Sequence, residues 1–172
     1  SKASKAKEDG KVLNVYVWND EFSARFNNYF PASKLGDVKV NFVQTPNADN
    51  AYQNKLDEVI LKQEKAAADD KVDIFLVEAD YALKYVDTPY TLDVKKDIGL
   101  TDEDLDIQFK YTKDIMTASK GVFDRVSWHG CPGGFIYRRS YAKEVLSTDD
   151  PAEVQKAIDD WAKFNAVAAK MK

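Results

Sequence analysis

Val72-Asp73-Ile74-Phe75-Leu76-Val77 is the stretch that decides the fold. Every position but Asp73 is apolar, and polar residues bound the run on both sides. A short apolar run of this kind reads as a strand covered on both faces, as strands of parallel sheets are. Toward the N-terminus the pattern alternates. Tyr52, Leu56, Val59 and Ile60 repeat at helical spacing, with Asn50 placed to cap the helix start. Pro46 to Asn50 is a turn, and Val38 to Val43 (VKVNFV) alternates as a strand. Phe22, Phe26, Tyr29 and Phe30 share one helical face until Pro31 breaks it. Val12 to Trp18 (VLNVYVW), between Gly10 and Asn19-Asp20, is the first strand.

Toward the C-terminus the signals are shorter. Tyr81 to Val86 predicts a short helix. Thr101 and Asp104 form a capping box ahead of Leu105, Phe109, Thr112 and Met116. Val122 to Trp128 and Phe135 to Tyr137 predict two further strands, joined through Gly130-Cys131-Pro132-Gly133-Gly134. Asp150, Pro151 and Glu153 are an N-cap, a first-turn proline and a first-turn acid. Val154, Ile158 and Trp161 are expected to line one last helix running to the chain end.

Strands alternating with helices predict an α/β fold: an open, mostly parallel sheet flanked by helices, with right-handed crossovers. Ligands of such sheets bind beyond the carboxyl ends of the strands. That rule directs attention to Trp18-Asn19-Asp20-Glu21 after the first strand and to Glu78-Ala79-Asp80-Tyr81 after the third.

Composition narrows the function. The 172 residues are 44% hydrophobic, 12% aromatic and 31% charged, the profile of a globular chain. No apolar stretch is long enough to span a bilayer as a helix. The net charge is −4, with Lys and Arg scattered among Asp and Glu. No basic stripe suggests nucleic acid. Cys131 is the only cysteine, so no internal disulfide forms. Ser1 to Gly10 (SKASKAKEDG) is polar and without apolar periodicity. It reads as a flexible leader or, alternatively, as the tether that follows a removed lipoprotein signal.

Both loops at the strand ends combine carboxylates with an aromatic ring. Carboxylates and amides pair with adjacent hydroxyls, and indole or phenol rings cover an apolar C–H face. That is the chemistry of a sugar. The blander reading has Asp20 and Asp80 capping the next helices, with Trp18 and Tyr81 as partly buried core. The acid pairs Asp20/Glu21 and Glu78/Asp80 also admit a glycoside hydrolase, although nothing in the sequence fixes their separation. A binder of another solute, such as a peptide or a polyamine, stays open as well, since acids with aromatics also hold cations. His129 and Cys131, at i and i+2, suggest a Cys–His hydrolase. The flexible residues around them favour a loop or a hinge instead. One His and one Cys are too few for a zinc cage, and no phosphate-binding glycine motif is present, so neither metal nor cofactor is expected.

Four segments, in order, resemble the carbohydrate family of extracellular solute-binding proteins, with its type II periplasmic-binding fold. They are VLNVYVWND (12–20), VDIFLVEADYALKY (72–85), VFDRVSWHGCPGGFIYRRSYAKEVL (122–146) and DDPAEVQKAIDDWAKF (149–164). The resemblance implies two lobes, with residues 11–130 forming the N-terminal lobe. Residues 131–172 would then be the hinge crossing and the start of the second lobe, whose remainder would be absent. It implies sugar contacts from Trp18, Asn19, Asp20, Glu21, Glu78, Asp80 and Tyr81, and weaker ones from Asn50 and Tyr52. Trp128 and His129 would face the cleft at the first crossing, with Gly130, Cys131 and Pro132 as the hinge. It further implies a bacterial, extracytoplasmic, lipid-tethered or periplasmic receptor, not an enzyme. Such a receptor hands a sugar or oligosaccharide to the permease subunits of an ABC transporter. The apolar residues Phe135, Ile136, Val154, Ile158 and Trp161 would need a cover, by docking on the first lobe or by self-association.

Overall fold

A computed structural model describes residues 10–86, 88–115, 117, 121, 123–131 and 133–171. The leader residues 1–9, Met116, Val122 and Pro132 lie outside the described residues. The chain divides into two compact units, Ser1–Trp128 and His129–Lys172.

The first unit is built on three parallel strands, β1 (Val12–Val17), β2 (Lys39–Gln44) and β3 (Ile74–Phe75), in the order β2-β1-β3. β1 pairs along its whole length with β2, Val12 opposite Lys39 and Val17 opposite Gln44. Its pairing with β3 covers only Val15–Ile74 and Tyr16–Phe75. Helix α1 (Glu21–Tyr29) joins β1 to β2, and α2 (Ala51–Ile60) joins β2 to β3. The chain steps outward from β1 to β2 and then back across β1 to β3. Right-handed crossovers therefore put α1 and α2 on opposite faces. The packing agrees. Tyr16 joins Tyr52, Leu56 and Ile60 of α2 in one apolar cluster. Val15 and Val17, pointing to the other side, form a second cluster with Leu76, against which Phe22 of α1 and Phe42 of β2 pack.

The strand buried on both faces is thus β1, whose residues Asn14 to Val17 are all buried. Val72–Val77 has that status only in part: Val72 and Leu76 are buried in the clusters on opposite faces, but only Ile74 and Phe75 form a strand, and Ile74 is 41% exposed. The reason is position. β3 is the last strand of the sheet, and one of its sides carries no further strand among the described residues.

Asn14 is a polar residue inside this core, and its groups are all used. Its side-chain amide donates to the carbonyls of Asp69 and Lys71, and its oxygen accepts from Asn41 Nδ2, each at 2.8 Å. Its main-chain N–H donates to Asp73 Oδ2 at 2.7 Å. This network ties the segment ahead of β3 to β1 and β2 and makes a buried asparagine tolerable.

Several local expectations are corrected. Asn50 stands at the N-cap position of α2, but with φ +59° and no cap hydrogen bond. Asp49 before it is also left-handed, and an N-cap residue that accepts from the first turn ordinarily has extended backbone instead. Tyr29 of α1 is 75% exposed, because the helix ends ahead of Pro31. Only a 3-10 turn, Ala82–Lys84, forms within Tyr81 to Val86. The Thr101–Asp104 capping box is present, with both reciprocal bonds, at the start of α3 (Asp102–Asp106). The expected helix continues only after a break, as α4 (Lys110–Ile115). Of the segment Val122 to Trp128, the described residues 123–128 form no strand beyond a single antiparallel bridge, Thr117 to Phe123.

The second unit is three helices: α5 (Arg139–Leu146), α6 (Pro151–Ala157) and α7 (Trp161–Lys170). Phe135 to Tyr137 is not a strand there, since no other segment of the unit offers it a ladder. Tyr137 is held instead by its hydroxyl, which donates to Asp149 O at 3.0 Å. Asp150 caps α6 as expected, accepting from Ala152 N and Glu153 N. The single last helix is corrected to two. Asp160 accepts from Lys163 N and so starts α7 anew at Trp161.

Candidate functional site

The strand order places the candidate site. The chain leaves β1 for β2 on one side of it and returns from β2, past β1, to β3 on the other. In open parallel sheets the crevice beyond the carboxyl ends opens at such a reversal. In an order of the 2-1-3 type it lies between β1 and β3. Trp18–Glu21 follows β1, and Glu78–Tyr81 lies just past β3, so these two segments flank that point. The loop after β2 joins them. Thr45 N donates to Val17 O at 2.9 Å, and Asn47 Nδ2 donates to Glu78 Oε2 at 3.3 Å.

In the first loop, Trp18 is half-buried and packs against both apolar clusters. Its indole meets the Tyr52 ring edge-on at 5.4 Å. Asn19 is exposed, and its side-chain oxygen accepts from Glu21 N at 3.1 Å, a local turn that sets the start of α1. Asp20 occupies the N-cap position of α1, but its carboxylate makes no cap bond. Its main chain does the work, accepting from Ser23 Oγ and Ala24 N. The exposed Asp20 carboxylate is therefore not committed to the helix, against the capping reading.

In the second loop, Tyr81 N donates to Glu78 O at 3.2 Å and closes a turn with Ala79 and Asp80 at its apex. Glu78 and Asp80 are both exposed. Tyr81 turns inward. Its ring packs against the cluster on the α2 face, and its hydroxyl is buried without a hydrogen-bond partner. Burial above all pushes its pKa up to about 12, and the Glu78 and Asp80 carboxylates add to the effect.

Tyr52 is 1% exposed. Its hydroxyl is shared between Tyr16 O at 3.0 Å and Leu76 O at 2.7 Å, so it clamps the ends of β1 and β3 from below. The structure thus places Tyr52 in the core beneath the site, and Asn50 on an exposed turn.

Trp128 packs on the same cluster as Trp18, the one formed by Val15, Val17 and Leu76, and meets Phe22 edge-on at 5.1 Å. The structure therefore brings Trp18, Phe22 and Trp128 together around the end of β1. His129, Gly130 and Cys131 are exposed and belong to the second unit.

Asn47 and Phe22 were not singled out as site residues from the sequence. Asn47 had a usable signal, a polar residue one turn past a parallel strand. Phe22 had none, since its spacing marks only a helix face. Among the described residues no three His, Cys, Asp or Glu side chains cluster as a metal cage requires. No protein-family model, no curated protein and no solved structure matches this chain.

Proposed function

We propose that this chain is the sugar-capturing part of an extracytoplasmic solute-binding protein that delivers its ligand to an ABC importer. One observation carries the reading: exposed carboxylates stand on both loops that flank the β1/β3 reversal, beside a half-buried indole. Asp20, Glu78 and Asp80 would accept from ligand hydroxyls, Asn19 and Asn47 would donate, and Trp18 would lie against a pyranose face. Tyr52 and Tyr81 would support the site from the core without touching the ligand. A hydrolase would need one of these carboxyls in an apolar pocket that keeps it protonated. All four acids of the two loops are exposed, which favours a binder. The surplus of acids supports one second reading, a polyamine ligand.

Thermal-shift and calorimetric titrations with panels of oligosaccharides and polyamines test the proposal. Stabilisation follows RT ln(1 + [L]/Kd), so a sugar near a hundredfold over its Kd adds about 2.7 kcal/mol. Asp80→Asn and Glu78→Gln, both at exposed positions, should remove the shift and leave the ligand-free melting point within about 0.5 kcal/mol in stability. A shift with polyamines alone selects the second reading. No shift with either panel, or an equal sugar shift in both variants, overturns the site.

A further inference from the structure

The second unit holds a pocket of about 210 Å³ among its three helices. Its walls include Tyr141 and Leu146 of α5, Val154 of α6, and Phe164 and Val167 of α7, with Phe135 at the entrance side of the chain. At roughly 30 Å³ per molecule it would hold about seven waters. Those waters would find few partners: the Tyr137 hydroxyl is already given to Asp149 O, and Arg138 is the one charged lining residue. A dry apolar hollow of this size calls for one or two large side chains.

The same unit holds out such a side chain. Trp161 is 78% exposed at the first turn of α7, is not among the residues that line the pocket, and meets the lining residue Phe164 edge-on at 5.6 Å. It therefore leaves its own pocket unfilled. A surface that carries both an apolar hollow and an unburied indole is complementary to itself, and a two-fold axis satisfies both copies at once. We propose that the partner of this face is a second copy of the chain, with Trp161 of each copy seated in the pocket of the other.

Charge agrees with this assignment. Asp159 and Asp160 immediately precede Trp161; Asp159 pairs with Lys163 Nζ at 2.6 Å and Asp160 caps α7, so the segment keeps a net negative charge, while Arg138 lines the pocket beside Tyr141, its guanidinium 5.5 Å from that ring. Seating Trp161 brings that net acidic turn to the one charged residue of the pocket lining. Area agrees as well. Phe135, Tyr141 and Trp161 are 56%, 50% and 78% exposed. At about 150–250 Å² per aromatic side chain they offer on the order of 350 Å² per copy. Ile136 and Met171, 93% and 50% exposed, raise the two-copy total toward the ~1,200 Å² at which specific interfaces begin.

Sedimentation equilibrium of the chain over a wide concentration range tests this. The expected result is a monomer–dimer equilibrium that closes at two. Trp161→Lys, at an exposed position, should weaken it at least tenfold with the far-ultraviolet circular dichroism unchanged. Arg138→Glu, which sets acid against acid, should weaken it also. That second variant decides the matter should Trp161→Lys disturb the helices. A chain that stays monomeric throughout, an open-ended series of larger species, or a dimer indifferent to both variants overturns the proposal. The sugar titrations above read the other unit and are independent of this result.

Discussion

Four tyrosines of the first unit, Tyr16, Tyr52, Tyr81 and Tyr85, are stabilised in their neutral form, and the last three differ in how their hydroxyls are held. Tyr52 is buried and spends its hydroxyl on two main-chain oxygens. Tyr85 is buried and donates to Asp57 Oδ1 at 2.9 Å, a bond that only the neutral phenol can make. Tyr81 has its hydroxyl buried with no partner. Burial is the largest cause of the raised pKa in all four. A group whose folded pKa lies above its unfolded value binds its proton more tightly when folded. The stability it contributes is complete below the unfolded value, about 10 for a phenol, and is lost as pH rises through the folded value. The urea midpoint of the first unit should therefore hold steady to about pH 10 and fall steeply toward pH 12. Tyr85→Phe should flatten that fall, since one of the four groups no longer titrates. A midpoint that is level across the range, or that rises with pH, refutes the assignment.

Helix ends and strand edges divide what the sequence discloses from what it withholds. A cap is a local bond, so Asp150 could be read from three neighbouring residues, and the structure has its Oδ1 accepting at 3.0 and 3.1 Å from Ala152 N and Glu153 N. Asp150→Ala should cost about 1 kcal/mol, within a range of 0.5–2. The loss should appear in the melting of the second unit and leave the first unchanged. The break between α6 and α7 is also local, but two signals compete there. Val154, Ile158 and Trp161 fit one continuous face, whereas Asp160 accepts from Lys163 N at 2.8 Å and restarts the helix. The hydrogen bond won, and Trp161 left the buried face. Strands are different, because their partners lie far off in sequence. The alternation in Val38–Val43 and the run at Val12–Trp18 were legible, yet which strand would be central was not. Val72–Val77 reads as a strand covered on both faces and lies at the edge. Val122–Trp128 has strand composition, and among the described residues it pairs only through the single bridge at Phe123. The candidate site shares this split. Trp18 to Glu21 and Glu78 to Tyr81 follow from a rule about strand ends, while the inward turn of Tyr81 and the Asn47–Glu78 bond depend on tertiary packing.

At the scale of the molecule the two units are unequal in their cores. The first has two apolar clusters, one on each face of β1, with Tyr52, Leu56, Val15 and Val17 almost wholly out of water. Among its described residues the second has only Ala142 and Val154 as buried hydrophobic residues. A small unit gains stability from burial more slowly than it pays in chain entropy, and fully buried side chains are what close the gap. Local opening should therefore be far cheaper in the second unit, and amide exchange reads that difference directly. The slowest amides should be those of β1 and of its neighbours in β2, with Val15 and Val17 near the limit set by global unfolding. Amides of α5, α6 and α7 should exchange at least a hundredfold faster, equivalent to about 2.8 kcal/mol less protection. Raising the protein concentration should slow them selectively, because the second copy covers the pocket and binds only the closed form. Equal protection in both units would mean that the helices are stabilised by something other than their own core. Exchange in α7 that ignores concentration would separate the weak core, which would stand, from the dimer, which would not.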